Sequence, residues 1–278
     1  AAGEASIRGM NTAVLWSPFF VSFAVGQLYL PINSAWIGIS FGLIIAILFN
    51  LISMKFFIGK LTFEYLLESL SCVKPIFSRL LILAGSVLFV GYVFNKTALS
   101  AIVIVIPILV IIQIIRRPET GNSILKNLTN LIKNSGDEML LISVSMFVGS
   151  LLSGSIEIQH FITTNIGDDF PFWLMIMFLP IVVWIFSLLG VHPIITSAPI
   201  LSLFGPLLSP WEAAFLMQAH LIGWCAGTAS SFTSLSVLTT SENFKIPILK
   251  LIVGPNLIAT AALTIFGSIF LIVLNYFL

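Results

Sequence analysis

Nine of the fifteen residues from Gly227 to Ser241 carry hydroxyls, in the run Gly-Thr-Ala-Ser-Ser-Phe-Thr-Ser-Leu-Ser-Val-Leu-Thr-Thr-Ser. Hydroxyls at that density can coordinate a hard cation or hydrogen-bond an anion, and they are too polar for a stretch that only faces lipid. Apolar flanks place the run at membrane depth, where irregular backbone is tolerated only if protein buries it or it lines a water-filled cavity. A second break, Gly190-Val191-His192-Pro193, lies upstream with Thr196 and Ser197 one turn on. Gly190 relaxes the backbone, and Pro193 suits the first position of a new helix. A third, Asn11-Thr12 with Ser17-Pro18, interrupts the first apolar segment, residues 10–30. The candidate substrate-binding residues are therefore Asn11, Thr12 and Ser17; Gly190, His192, Pro193, Thr196 and Ser197; and Gly227, Thr228, Ser230, Ser231 and Thr233. Helices restarting at Pro193 and near Thr228 would aim free N–H groups at the site, as anion sites require.

What is missing narrows the chemistry. From Phe170 to Ser241 the only charged side chain is Glu212, so no Arg or Lys clamps an anion there and no Asp or Glu carries a proton. Ser209-Pro210-Trp211-Glu212 reads as a capping box, which makes Glu212 a cap. Proton coupling would fall to His192 or His220, and His220 reads better as an interhelical hydrogen-bonding residue. His160 reads as solvated. Sodium needs only carbonyl, hydroxyl and amide oxygens. Sodium is favoured as the coupling ion, with Asn11, Thr12, Thr228 and Ser230 as candidate contacts. No cofactor or other metal site is expected. Cys72 and Cys225 fit no ligand or disulfide spacing and read as small buried residues.

Charged residues make up 8% of the 278-residue chain, against about 25% in soluble domains. With apolar runs near 20 residues, that makes it an all-α integral membrane protein, a polytopic helical bundle. Twelve basic against eleven acidic residues give no field to attract nucleic acid. The organisation reads as residues 1–54, a broken helix and a spanning helix; 55–138, an interfacial amphipathic stretch (55–79), a helical hairpin turning at Asn95-Lys96-Thr97 and a polar loop; and 139–278, with a re-entrant hairpin at 190–210 and a helix broken near 227. Residues 156–169, with Glu157, Asp168 and Asp169, read as an outer loop. The basic stretches 55–79 and 116–133 set the cytoplasmic side, and the C-terminus follows to that side. Lacking an initiator Met and a leader, the chain reads as starting mid-protein.

Sliding the sequence by 216 positions superposes Asn11-Thr12-Ala13 on Gly227-Thr228-Ala229, Pro31-Ile32 on Pro247-Ile248 and Gly38 on Gly254, with six identities over positions 11–38. Both copies read as polar break, helix, proline, spanning helix. Paired interrupted segments of this kind point to a transporter's binding site. The counterpart of residues 171–226 would precede residue 10, so part of the first copy is expected to be missing. Counting crossings makes the copies parallel.

The order of spanning helix, re-entrant hairpin, broken helix and spanning helix over residues 171–276 resembles the ion transporter superfamily, whose best-known branch is the divalent anion:sodium symporters. Asn11-Thr12-Ala13 retains part of the Ser-Asn-Thr signature those symporters carry at each hairpin tip. Val191-His192-Pro193 stands where the second signature would be, and Gly227–Ser234 is similar to the unwound segment of the second broken helix. The resemblance implies an elevator-type secondary transporter of small carboxylates or inorganic anions with inverted repeats. The expectation is thus a non-enzymatic, multi-pass carrier of a small anion in the cytoplasmic (inner) membrane, with the lipid bilayer and a second copy, as a homodimer, as partners. The alternatives are a channel or a non-catalytic membrane assembly subunit.

Overall fold

A computed structural model describes the backbone of residues 2–30, 35–58, 63–94, 98–121, 126, 129, 136–165 and 171–278. The described residues form helices and no strands. In chain order these are α1 (Ala2–Thr12), α2 (Val21–Tyr29), α3 (Ala35–Ile58), α4 (Phe63–Val93), α5 (Ala98–Arg116), α6 (Gly136–Gly154), α7 (Ile156–Asn165), α8 (Phe172–Leu188), α9 (Pro193–Phe204), α10 (Pro210–Ser230), α11 (Leu235–Phe244), α12 (Ile248–Val253) and α13 (Pro255–Phe277). Residues 1–59 and 141–278 form one compact unit, and residues 60–140 another.

In the larger unit the core is organised around α10. Every residue from Ala213 to Gly227 is buried, as expected of a helix surrounded by others rather than one with a single apolar stripe. Its N-terminus is fixed by the anticipated capping box. Ser209 Oγ accepts from the Glu212 amide at 3.3 Å, and the Glu212 carboxylate accepts from the Ser209 amide at 2.9 Å. Helices α8, α13, α3, α2 and α1 pack on it. The outward faces of α3 and α13 expose Leu43, Ile47, Ile52, Phe266 and Val273. Three stretches are long and apolar enough to cross a membrane: Gly38–Phe56, Pro210–Phe244 and Pro255–Phe277.

The helix α9 has 12 residues, so it rises only about 18 Å and falls short of a hydrocarbon core of about 30 Å. It follows α8 through a turn at Leu189-Gly190, where Gly190 adopts φ +88°, a conformation that costs other residues strain.

Three boundaries differ from the sequence expectation. The helix expected to break near 227 runs on to Ser230, and the unwound segment is Ser231–Ser234. The hydroxyls themselves explain the delay: Thr228 Oγ1 lies 2.8 Å from the Trp224 carbonyl and Ser230 Oγ donates to Ala226 O at 2.6 Å, so both fold back on the helix they were expected to interrupt. Residues 156–165, read as loop, form α7, whose start is held by Ser155 Oγ accepting from the Ile158 amide at 3.4 Å. Asp168 and Asp169 lie outside the described residues, as do Asn95–Thr97.

In the smaller unit α4 and α5 pack against each other. Of residues 55–79, expected as a separate interfacial stretch, 55–58 end α3 and 63–79 continue into α4 as one 31-residue helix through Pro75. A cavity of about 420 Å³ between α4 and α5 is lined by apolar side chains, with Ser86 the one hydroxyl in the lining.

Candidate functional site

Two stretches more than two hundred residues apart meet at the end of α1. Asn11, 5% exposed, uses both amide protons: Nδ2 donates to Ile7 O at 2.8 Å and to Ser236 Oγ at 2.9 Å. Its Oδ1 lies 2.7 Å from Thr228 Oγ1, which donates to it. That hydroxyl has one proton to share between Asn11 and the Trp224 carbonyl. Ser236 Oγ in turn lies 2.9 Å from Ser234 Oγ and 3.4 Å from the Thr228 carbonyl. Thr12 extends the network to α3, where Asn50 Nδ2 donates to Thr12 Oγ1 at 3.0 Å.

The hairpin tip reaches the same turn of α10. His192 caps α9, its Nδ1 accepting from the Ile194 amide at 3.3 Å, with Pro193 as the first helical residue. This requires an unprotonated Nδ1. The ring packs edge-on to Trp224 at 5.6 Å, and Trp224 meets His220 the same way at 5.4 Å. A Cβ added at Gly227 would lie 2.6 Å from Ser187 Oγ and 3.5 Å from Pro193 Cγ. Only glycine admits that approach of α8 and α9 to α10. One turn of α10, Trp224 to Thr228, thus touches the hairpin tip through Trp224 and Gly227 and the first broken helix through Thr228.

The remaining candidates lie nearby on these elements without joining the network. Ser17 closes a turn, accepting from the Phe19 amide at 3.4 Å. Thr196 donates to Pro193 O at 3.0 Å. Ser197 is fully buried, with no hydrogen bond to its hydroxyl among the described residues. Ser231 and Thr233 bond each other at 3.0 Å in the unwound segment, and Thr233 is exposed. Of the other histidines, His160 is exposed and His220 is fully buried with Nε2 2.9 Å from Ser22 O.

Several residues of the cluster escaped sequence reasoning. Asn256 Nδ2 donates to the Ala229 carbonyl at 2.6 Å, satisfying an acceptor near the end of α10. Its signal was Gly254-Pro255-Asn256, an amide just inside a helix start. Gln218 Nε2 donates to Leu15 O at 2.9 Å and to Gly38 O, pinning the first break and α3 to the core. Ser22 Oγ, Gln218 Oε1, His220 Nδ1 and Asn256 Oδ1 are buried and make no hydrogen bond among the described residues. Cys225 is buried and free, whereas the Cys72 side chain lies outside the described residues. Among the described residues no three His, Cys, Asp or Glu side chains are grouped to hold a metal ion.

Comparison with known protein families, with curated proteins and with solved structures finds no match to this chain.

Proposed function

We propose that this chain is a multi-pass, elevator-type secondary carrier of a small anion in the cytoplasmic membrane, coupled to sodium in preference to protons, with its C-terminus cytoplasmic. The observation that carries this reading is the junction of Asn11, Thr228 and Ser236, where the broken helices of two distant segments share one polar network. Inside a bilayer such irregular polar backbone is tolerated where protein buries it or where it lines a water-filled cavity, and the reading takes the second course.

The helix ends supply the selectivity. At the junction α1 ends at Thr12 and α10 at Ser230, so two carbonyl-rich, negative helix ends converge beside amide and hydroxyl oxygens. Those are the donors sodium takes. The N-termini of α9 and α11, at Pro193 and Leu235, flank the same turn and favour an anion. The 216-position shift also carries α1 onto the end of α10, the first break onto the second, α2 onto α11 and α3 onto α13, which supports a repeat. The apolar outer faces of α3 and α13 suit lipid. In this reading the family likeness is to the divalent anion:sodium symporters.

Uptake of labelled succinate, citrate or sulfate into proteoliposomes under an inward sodium gradient tests the reading. Alanine at Thr228, Ser230 or Ser231 should reduce saturable uptake. Variants that fold normally and transport at the wild-type rate would sink it, and flux that never saturates would favour a channel.

A further inference from the structure

The α4–α5 hairpin is apolar along its outward face and cationic at one end. Helix α5 rises about 28 Å over its 19 residues, close to a hydrocarbon core of about 30 Å, and ends in Arg116. A short connection joins α4 to α5 and the two pack on each other, so they run antiparallel, which brings Arg116 to the same end as Lys74 and Arg79 of α4. All three cations are exposed, whereas Tyr92, a residue type that favours membrane interfaces, is exposed at the opposite end. Between those ends lies the cavity of about 420 Å³, whose lining includes Gly85, Ser86 and Phe89 of α4 and Val105, Leu109 and Ile112 of α5. Val105 is buried, Phe89 and Ile112 are exposed, and a Cβ added at Gly85 would meet nothing within 4 Å. The cavity is therefore a groove open to whatever surrounds the hairpin. The cations continue its walls. Val105, Leu109, Ile112 and Arg116 follow at steps of four, three and four residues, so they share one face of α5. On α4, Arg79 lies seven residues, about two turns, before Ser86 and on the same face.

From an apolar groove that ends in exposed arginines, we propose that the hairpin binds an anionic phospholipid, with an acyl chain in the groove and the phosphate paired with Arg79 and Arg116. A lining with one hydroxyl offers nothing to a polar solute, and it suits hydrocarbon. Guanidinium takes two phosphate oxygens at once, and Lys74 adds a point charge at the same end. Basic pockets between helices on the cytoplasmic side are where anionic headgroups dock. Among the described residues the acidic side chains nearest in sequence are Glu119, three residues past Arg116, and Glu68, eleven before Arg79 and about 16 Å further along α4. Lys74, Arg79, Arg116 and Arg117 outnumber them. The same charges disfavour a second copy as the occupant, because a copy in the same orientation would bring its own cations against these. The inference rests on the membrane topology proposed above and not on transport.

The test is native mass spectrometry of the detergent-purified protein, titrated with phosphatidylglycerol or with phosphatidylcholine of the same acyl chains. Phosphatidylglycerol should bind the wild type at least about tenfold more tightly. Arg79→Gln combined with Arg116→Gln should weaken its binding by about twentyfold, the effect of two cations at an anionic headgroup. Gly85→Phe, which fills the groove and leaves every charge in place, should weaken it by about tenfold or more, the worth of a few buried methylenes. It also decides the matter should the double variant not fold. Equal binding of the two lipids overturns the inference, as does wild-type phosphatidylglycerol binding in either variant. A dimer that Gly85→Phe dissociates, with no lipid selectivity in the wild type, would give the groove to a second copy and overturn it too. Selective binding of phosphatidylglycerol by a protein that carries no anion into proteoliposomes would keep the lipid site and sink the carrier. Sodium-coupled uptake by a protein without lipid selectivity would do the reverse.

Discussion

Asn11 commits both donors and its oxygen acceptor to protein groups, and this saturation makes it the residue whose loss is easiest to predict. Removing the Thr228 hydroxyl leaves the buried Asn11 oxygen without its donor, and removing Asn11 strips α1 of a residue bonded to Ile7, Thr228 and Ser236, each at about 1–3 kcal/mol, whereas interhelical hydrogen bonds in membranes average only about 0.6 kcal/mol of coupling. The larger figure describes each single variant and the smaller one the pair. Asn11→Ala and Thr228→Val should therefore each destabilise by about 1–3 kcal/mol, and their double-mutant cycle in detergent unfolding should show coupling of about 0.5–1.5 kcal/mol. Strict additivity would mean that the two breaks do not touch. His192 is a cap as well as a ring contact. His192→Asn, which can accept from the Ile194 amide, should retain more stability than His192→Ala, by about 1 kcal/mol in a thermal melt.

At the scale of elements, glycines mark where helices and turns approach. A Cβ at Gly42 would overlap the Leu15 carbonyl, a backbone atom that cannot step aside, whereas a Cβ at Gly85 meets nothing within 4 Å. Gly42→Ala should thus lower thermal stability by at least the 1–3 kcal/mol typical of overpacking, while Gly85→Ala should be neutral or gain up to about 1 kcal/mol of helix propensity. These elements were unequally legible. The capping box at Ser209, the glycine turn at 190 and the proline start of α9 rest on local backbone chemistry, which sequence carries directly. The end of α10 lies three residues beyond the expected break near 227 because hydroxyls bond i−4 carbonyls inside a helix as readily as they mark its end. Ser155 acted as a cap and turned an acidic loop into α7. Asn50, Ser236 and Asn256 looked ordinary because their partners lie in other segments.

Across the whole molecule, three polar breaks spread along the chain are gathered at one turn of a buried helix: the first through Asn11 on Thr228, the hairpin tip through His192 on Trp224, and the last where α10 itself unwinds. In its otherwise apolar core α10 carries Gln218, His220 and Thr228, which hydrogen-bond Leu15 and Gly38, Ser22 and Asn11 respectively and so tie the helix to the segments around it. The most direct test is thermal stability of the purified protein against succinate, citrate and sulfate, with sodium exchanged for choline at fixed ionic strength. A ligand that binds only the folded state must stabilise it, by about 2.7 kcal/mol at a hundredfold excess over its dissociation constant. The account predicts that at least one anion raises the melting temperature in sodium and fails to do so in choline, and that Thr228→Val weakens the effect. Identical melting curves in every anion and both cations would contradict it.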